Sequence, residues 1–282
     1  MSGRNPFMDR RALFASGAAA ALLAAAGVSA RGLPQRGGKL RLAVSGAQRS
    51  DSWMSGDGLF MQVAIQGVIF DTLTEVGADG TLRGELAIGW TARDEGRGWA
   101  FDLRRDVRFH DGALFSARDV VASLTASLPF ADVDSDGPHR VIVALDTPDP
   151  SLPFTLAAPS HVIRPAHAIQ QGIGTGLYRM TKFTPGQQLL ATRVAEHYRD
   201  GQAGWFDQIE LVSIPSEAVR AQALAEYLVD AADLSDAQAV APFRDIAILP
   251  GMATSRSLGM AQIVSASRPF DNLRAAERWW LA

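Results

Sequence analysis

The chain has 282 residues, 47% of them hydrophobic and 20% charged, with no cysteine and a formal net charge of −3. That balance excludes intrinsic disorder, and collagen-like or coiled-coil periods are absent; without cysteine there are no disulfides, thiolate zinc sites, iron–sulfur clusters or thiol catalysis. Near-neutral charge also argues against nucleic acid as the main partner, because phosphate binding needs concentrated Lys and Arg.

The first thirty residues read as an address. Asp9-Arg10-Arg11-Ala12-Leu13-Phe14 sets paired arginines before apolar residues, an alanine-rich stretch runs from Ala18 to Ala26, and Val28-Ser29-Ala30 is a small-residue cleavage site. Residues 1–30 are expected to be an export signal, with the paired arginines favouring the twin-arginine route over the general one. The apolar run Leu13 to Val28 is too short and alanine-diluted for a membrane-spanning helix. No cysteine follows it, so a lipoprotein anchor is not expected; the mature protein is expected to be soluble and periplasmic.

Residues 31–38, with Pro34, Gly37 and Gly38, read as a short leader. Leu40, Leu42 and Val44 then alternate with Lys39, Arg41 and Ala43, the period of a half-buried strand. Gln48 to Gly58 is polar and small yet holds Trp53 and Met54, and the apolar segment Val63 to Leu73 leads to a turn at Asp79-Gly80. Trp99, Phe101 and Leu103 share a face opposite Asp102 and Arg104, and Val107 and Phe109 resume after Arg105-Asp106, which predicts a hairpin. Ser116 and Asp119 match a capping box before a helix whose apolar face is Val120, Val121, Leu124 and Leu128. Strands are predicted at 139–145, 177–182, 187–194 and 208–214. A helix is predicted from Glu217 to Ala232, burying Ala221, Leu224, Leu228 and Ala231. Without βαβ regularity the class is α+β or mixed α/β.

The motifs that could carry chemistry are weak. Asp132, Asp134, Asp136 and Gly137 open like a calcium loop, but Val143 stands where a bidentate Glu is needed, so a solvated acidic turn is expected. Gly172-x-Gly174-x-Gly176 precedes a strand rather than a helix, so it reads as a hinge strand and not a phosphate cradle. His110 reads as a turn or hydrogen-bonding residue. With no H-x-x-x-H pair and no G-x-S-x-G elbow, neither an enzyme, a metal centre nor a cofactor is expected.

Ile69-Phe70-Asp71-Thr72-Leu73-Thr74-Glu75, Glu85-Leu86-Ala87 and Trp90 resemble extracytoplasmic solute-binding proteins of family 5, the peptide/nickel class. The likeness sharpens at Trp99-Ala100-Phe101-Asp102-Leu103-Arg104, at Val107-Arg108-Phe109-His110-Asp111-Gly112 and at Phe115-Ser116-Ala117-Arg118-Asp119-Val120. It extends through Gly174-Thr175-Gly176-Leu177-Tyr178 and Ile214-Pro215 to Arg268-Pro269-Phe270-Asp271. Leu177 departs from the family's usual proline, and Tyr227-Leu228 from its usual Gly-Glu.

The resemblance implies a periplasmic-binding-protein type II-like lobe over residues 39–282, with a small β-rich subdomain inserted at about 71–165. It implies a receptor that captures a small solute, an oligopeptide first and a nickel chelate or sugar otherwise, and delivers it to ABC permease subunits. Family members commonly run to twice this length, and here most of the second lobe has no counterpart. That leaves open a non-transporting interaction protein, a degenerate receptor, self-association, or a separately encoded second lobe. The family's cleft loop falls on Ser50 to Asp57. There Trp53 would offer an apolar wall, Met54 an adaptable contact, and Asp51 or Asp57 an acceptor for an ammonium group. The alternative is a surface loop whose Trp53 packs beneath its own backbone.

Overall fold

The computed structural model describes residues 36–77, 80–235, 240, 242, 246–249 and 257–261. The expected export signal, the residues of the leader before 36, Asp79 and the Arg268–Asp271 motif lie outside them.

The strands are β1 (Lys39–Val44), β2 (Thr74–Val76), β3 (Leu82–Gly84), β4 (Ala87–Arg93), β5 (Gly98–Leu103), β6 (Ala131–Ser135), β7 (Arg140–Leu145), β8 (Tyr178–Thr184), β9 (Gln188–Arg193), β10 (Gln208–Ser213), β11 (Ala231–Leu234), β12 (Ile246–Leu249) and β13 (Ser257–Ala261). The helices are α1 (Leu59–Ile65), α2 (Ala117–Ser127), α3 (Leu152–Thr155) and α4 (Glu217–Ala225). The class is mixed α/β, as the element pattern implies.

A seven-stranded sheet has the order β12-β13-β11-β1-β10-β9-β8. Its centre, β1, runs parallel to β10 and β11, and the outer pairings are antiparallel. Alternation along β1 sends Leu40, Leu42 and Val44 into a core with α1, while Ala43 joins Ala221 and Leu224 of α4 on the other face. A second core, from Leu73 to Ile163, is built from the sheet β4-β5-β7-β6 and α2. Trp99, Phe101, Phe109, Phe115, Val120 and Leu124 are buried there.

Two expectations fail. Val107 and Phe109 do not pair with β5, whose neighbours are β4 and β7. The segment instead closes on itself, Phe109 N–H donating to Ala113 O and Phe115 N–H to Val107 O, with the two phenyl rings edge-on. The predicted helix over 217–232 also ends early, at Ala225. Tyr227 takes a left-handed φ of 56°, Leu228 is exposed, and Ala231 enters β11 beside β1. The competing force is tertiary: the Asp230 carboxylate accepts from the backbone N–H and the guanidinium of Arg41, and its own N–H donates to Arg41 O.

Asp132 and Asp134 project outward from β6 with Val133 inward, in keeping with a solvated acidic segment. Among the described residues no group of three or more His, Cys, Asp or Glu could hold a metal, and no helix is long and apolar enough to cross a membrane.

Candidate functional site

The loop after β1 is closed by its own hydrogen bonds. Asp51 is buried, its carboxylate accepting from Gln48 N–H at 2.7 Å while Asp51 N–H donates to Gln48 O. Ser52 and Ser55 exchange backbone hydrogen bonds, and their hydroxyls lie 2.8 Å apart. This tight turn drives Trp53 inward, 7% exposed, and Met54 outward, 48% exposed. The Trp53 indole packs 4.6 Å from the Phe183 ring and edge-on at 6.0 Å to Phe70.

Met54, Ser55, Gly56 and Asp57 form one wall of a cavity of about 750 Å³. Gln62 and Ile65 of α1, Ser123, Ala126 and Ser127 of α2, Pro159 and Ser160, Arg164 and Ile169 form the rest. The cavity therefore lies between the layer carrying α1 and the second core carrying α2. Of the four residues expected to meet a ligand, Met54 and Asp57 border it. Asp51 and Trp53 brace the loop from behind, so the apolar wall expected of Trp53 is spent on the protein core.

Arg164 is the residue sequence reasoning missed. Its backbone N–H donates to Ser123 Oγ at 2.9 Å, which fixes it against α2. Nη2 donates to Trp53 O at 2.8 Å, and the guanidinium lies 5.2 Å from the centre of the Phe70 ring. Its Nε is buried with no hydrogen-bond partner, and burial lowers its pKa from the ordinary arginine value. Among the described residues it has no carboxylate within 4 Å. The available signal was a lone cation in the apolar run Val162-Ile163-Arg164-Pro165. His161, beside the cavity, meets Ser127 Oγ through Nδ1 at 3.0 Å, and burial lowers its pKa.

A smaller cavity of about 410 Å³ lies between the His110–Gly112 turn and Thr175–Gly176. His110 is held at both ends, its N–H on Gly174 O and its Nε2 2.8 Å from Gly176 O, so it is a hydrogen-bonding residue. Next to it Asp71 accepts from Thr175 Oγ1 at 3.0 Å and lies 3.8 Å from His197 Nε2. Burial works against the Asp71 carboxylate, but His197 and the Thr175 hydroxyl together hold it below the usual range. Burial, with Asp71 and Glu85 nearby, pushes the Tyr198 phenol well up. Arg199 bridges the buried Glu75 and Glu85 at 2.9 and 3.6 Å. These charges pair among themselves and lock the junction of the two cores.

Residues 81–275 match the family described as "Bacterial extracellular solute-binding proteins, family 5 Middle". The chain belongs to this family. Among curated proteins it is 29% identical over 170 residues, 56% of this chain, to the HTH-type transcriptional regulator SgrR of Pectobacterium atrosepticum. Among solved structures, the binding protein AgaA in complex with agropinic acid, from A. tumefaciens R10, matches 77% of the chain at TM-score 0.70 and 23% identity. The oligopeptide-binding protein AppA of Bacillus subtilis, in complex with a nonapeptide, matches 76% at TM-score 0.66 and 19% identity. At those identities the likeness establishes the fold. The chain spans 30% of the regulator's length and 48% of each solved chain.

Proposed function

We propose that this family 5 chain captures a small solute non-covalently in the cavity between Met54–Asp57, α1 and α2, as the periplasmic receptor of an ABC importer, with oligopeptides as the first solute class. The observation that carries the reading is the cavity itself: about 750 Å³, large enough for a small ligand, with an adaptable Met54, apolar Ile65 and Pro159, and polar groups from Asp57, Gln62, Arg164 and four serines. Family membership and the fold shared with AppA support it. In this reading residues 39–282 form one lobe carrying an inserted unit at about 71–165, the first thirty residues direct export, and delivery is to permease subunits. No bond is made or broken, and no cofactor takes part.

A thermal-shift screen of the purified chain against di- to pentapeptides, nickel chelates and oligosaccharides tests it. A ligand that binds only the folded state raises the midpoint with concentration. A well-folded sample that shifts with no solute class overturns capture by this chain alone.

The likeness to SgrR favours a second reading, in which the same capture serves sensing rather than import. Retention of the purified chain on permease-containing membranes supports import; solute binding without retention supports sensing.

A further inference from the structure

We infer that Arg164 is the specificity-determining residue of the cavity and that it recognises a free carboxylate on the solute. The inference rests on the capture reading above and adds the chemistry of the ligand.

A guanidinium stays protonated at any physiological pH, and removing it from water is expensive unless a counter-charge meets it. Several arginines meet that requirement: Arg41 pairs with Asp230, Arg193 with Asp200, Arg199 with Glu75, and Arg220 with Asp233. Half-buried Arg104 donates only to Glu85 O and lies over the Tyr198 ring, but it lines neither cavity. Arg164 is half-buried, yet among the described residues it finds no carboxylate and makes one side-chain hydrogen bond, to a neutral carbonyl. Five N–H donors against one acceptor leave the group under-satisfied. The ion is nevertheless held firmly: Ser123 Oγ grips its backbone N–H, Trp53 O grips Nη2, and Phe70 lies beneath it. A cation placed at a cavity wall, immobilised and left without an anion is arranged for an anion that arrives from outside.

The cavity narrows the class of that anion. Its other walls are Met54, Ile65 and Pro159 with scattered hydroxyls, and no second arginine or lysine lines it. One planar cation without auxiliary positive charge suits a monoanionic carboxylate, which it can take in a forked pair of hydrogen bonds, better than a phosphate dianion. Asp57 borders the same space, exposed and without a cationic partner within 4 Å among the described residues. A solute with a carboxylate for Arg164 and an ammonium for Asp57 would satisfy both, which points to amino-acid-like and short peptide zwitterions.

The test compares a pool of di- to pentapeptides having free C-termini with the same pool amidated, alongside inorganic phosphate, on the full chain and on Arg164→Met and Arg164→Lys. The free-acid pool should raise the midpoint and the amidated pool should bind at least about tenfold more weakly, the loss expected for one charge-assisted pair. Arg164→Met should abolish the difference between pools, because it removes the cation that tells them apart. Arg164→Lys, which keeps charge but not the fork, should keep less than about a tenth of the affinity, and it carries the test should the Met variant not unfold cooperatively. Equal shifts from both pools overturn the carboxylate assignment and leave capture standing, as does a stronger shift with phosphate. Absence of any shift overturns both.

Discussion

Arg164 Nη2 donates to the carbonyl of Trp53 at 2.8 Å, joining residues 111 positions apart. The contact ties the loop after β1 to the segment returning from the second core, and it does so through backbone that any side chain at 53 would present. Trp53 is held from three sides, by this bond, by Phe183 and by Phe70. The exposed residues that follow, Met54 to Asp57, thereby reach the cavity from a fixed base.

The fourth support of Trp53 is an absence of side chain. A Cβ on Gly172 would fall 2.5 Å from the indole Cε2. Gly172 is outside the left-handed region, so alanine there meets a steric and not a conformational obstacle. Gly172→Ala should cost about 1–3 kcal/mol, the usual penalty of overpacking. The double variant with Trp53→Phe should recover part of that cost in urea unfolding; full additivity would mean the indole is not the obstacle.

Asp119 closes α2 and also reaches beyond it. Its carboxylate accepts from Ser116 N–H and Oγ–H, each at 2.9 Å, and from Ala166 N–H at 2.9 Å. Asp119→Ala should therefore cost about 2–3 kcal/mol, more than an ordinary cap. In a chain of this size that lowers the thermal midpoint by roughly 5–10 °C. Ser116→Ala, which leaves the Ala166 contact intact, should lower it by less than half as much.

That box was legible because its signal is local: Ser116 and Asp119 lie three residues apart ahead of an apolar stripe. The strands predicted at 139–145, 177–182, 187–194 and 208–214, which form as β7, β8, β9 and β10, were legible for the same reason, since a period of two needs only the segment itself. Where long-range pairing decides, local pattern fails. Ala221, Leu224, Leu228 and Ala231 keep helical spacing, yet Asp230 is claimed by Arg41, 189 residues away, and the chain turns into β11. The cavity shows the same division. Met54 and Asp57, expected from their loop, border it, while the interest of Arg164 depends on what fails to pair with it, and no spacing rule reports a missing partner.

Asp233 and Arg220 form the most deeply buried ion pair described, 0% and 1% exposed at the side chain. Asp233 also accepts from Ser45 N–H at 2.8 Å and Ser45 Oγ–H at 2.9 Å, and Arg220 donates to Ile214 O and Pro215 O. Asp233→Ala leaves the buried guanidinium only the longer contact to Glu217 at 3.7 Å and should cost about 3–5 kcal/mol. Replacing both residues together, Asp233→Leu with Arg220→Met, should cost less than Asp233→Ala alone. A double replacement as damaging as the single one would place the energy in the Ser45 contacts instead.

Stability should fall with acidification, and the sign follows from the histidines. Burial lowers the pKa of both His110 and His161 below the 6.5 of a free imidazole. Around His110 the nearby charges partly cancel: Asp71 favours its protonation, His197 and Arg179 oppose it. As pH drops through about 6.5 the unfolded chain takes up protons that the folded chain refuses, so the folded state loses ground from there downward. Asp71, held below the ordinary 3.8, contributes stability that is complete at neutral pH and disappears only as the pH falls through 3.8 toward its folded value. The thermal midpoint should thus be nearly flat between pH 8 and 7 and decline between pH 6.5 and 5, before any carboxylate is lost. His110→Gln should make that decline shallower, since the amide retains a donor for Gly176 O but takes no proton. A midpoint that stays level to pH 5, or a variant with an unchanged slope, would show that these imidazoles titrate as freely in the folded chain as in the unfolded one.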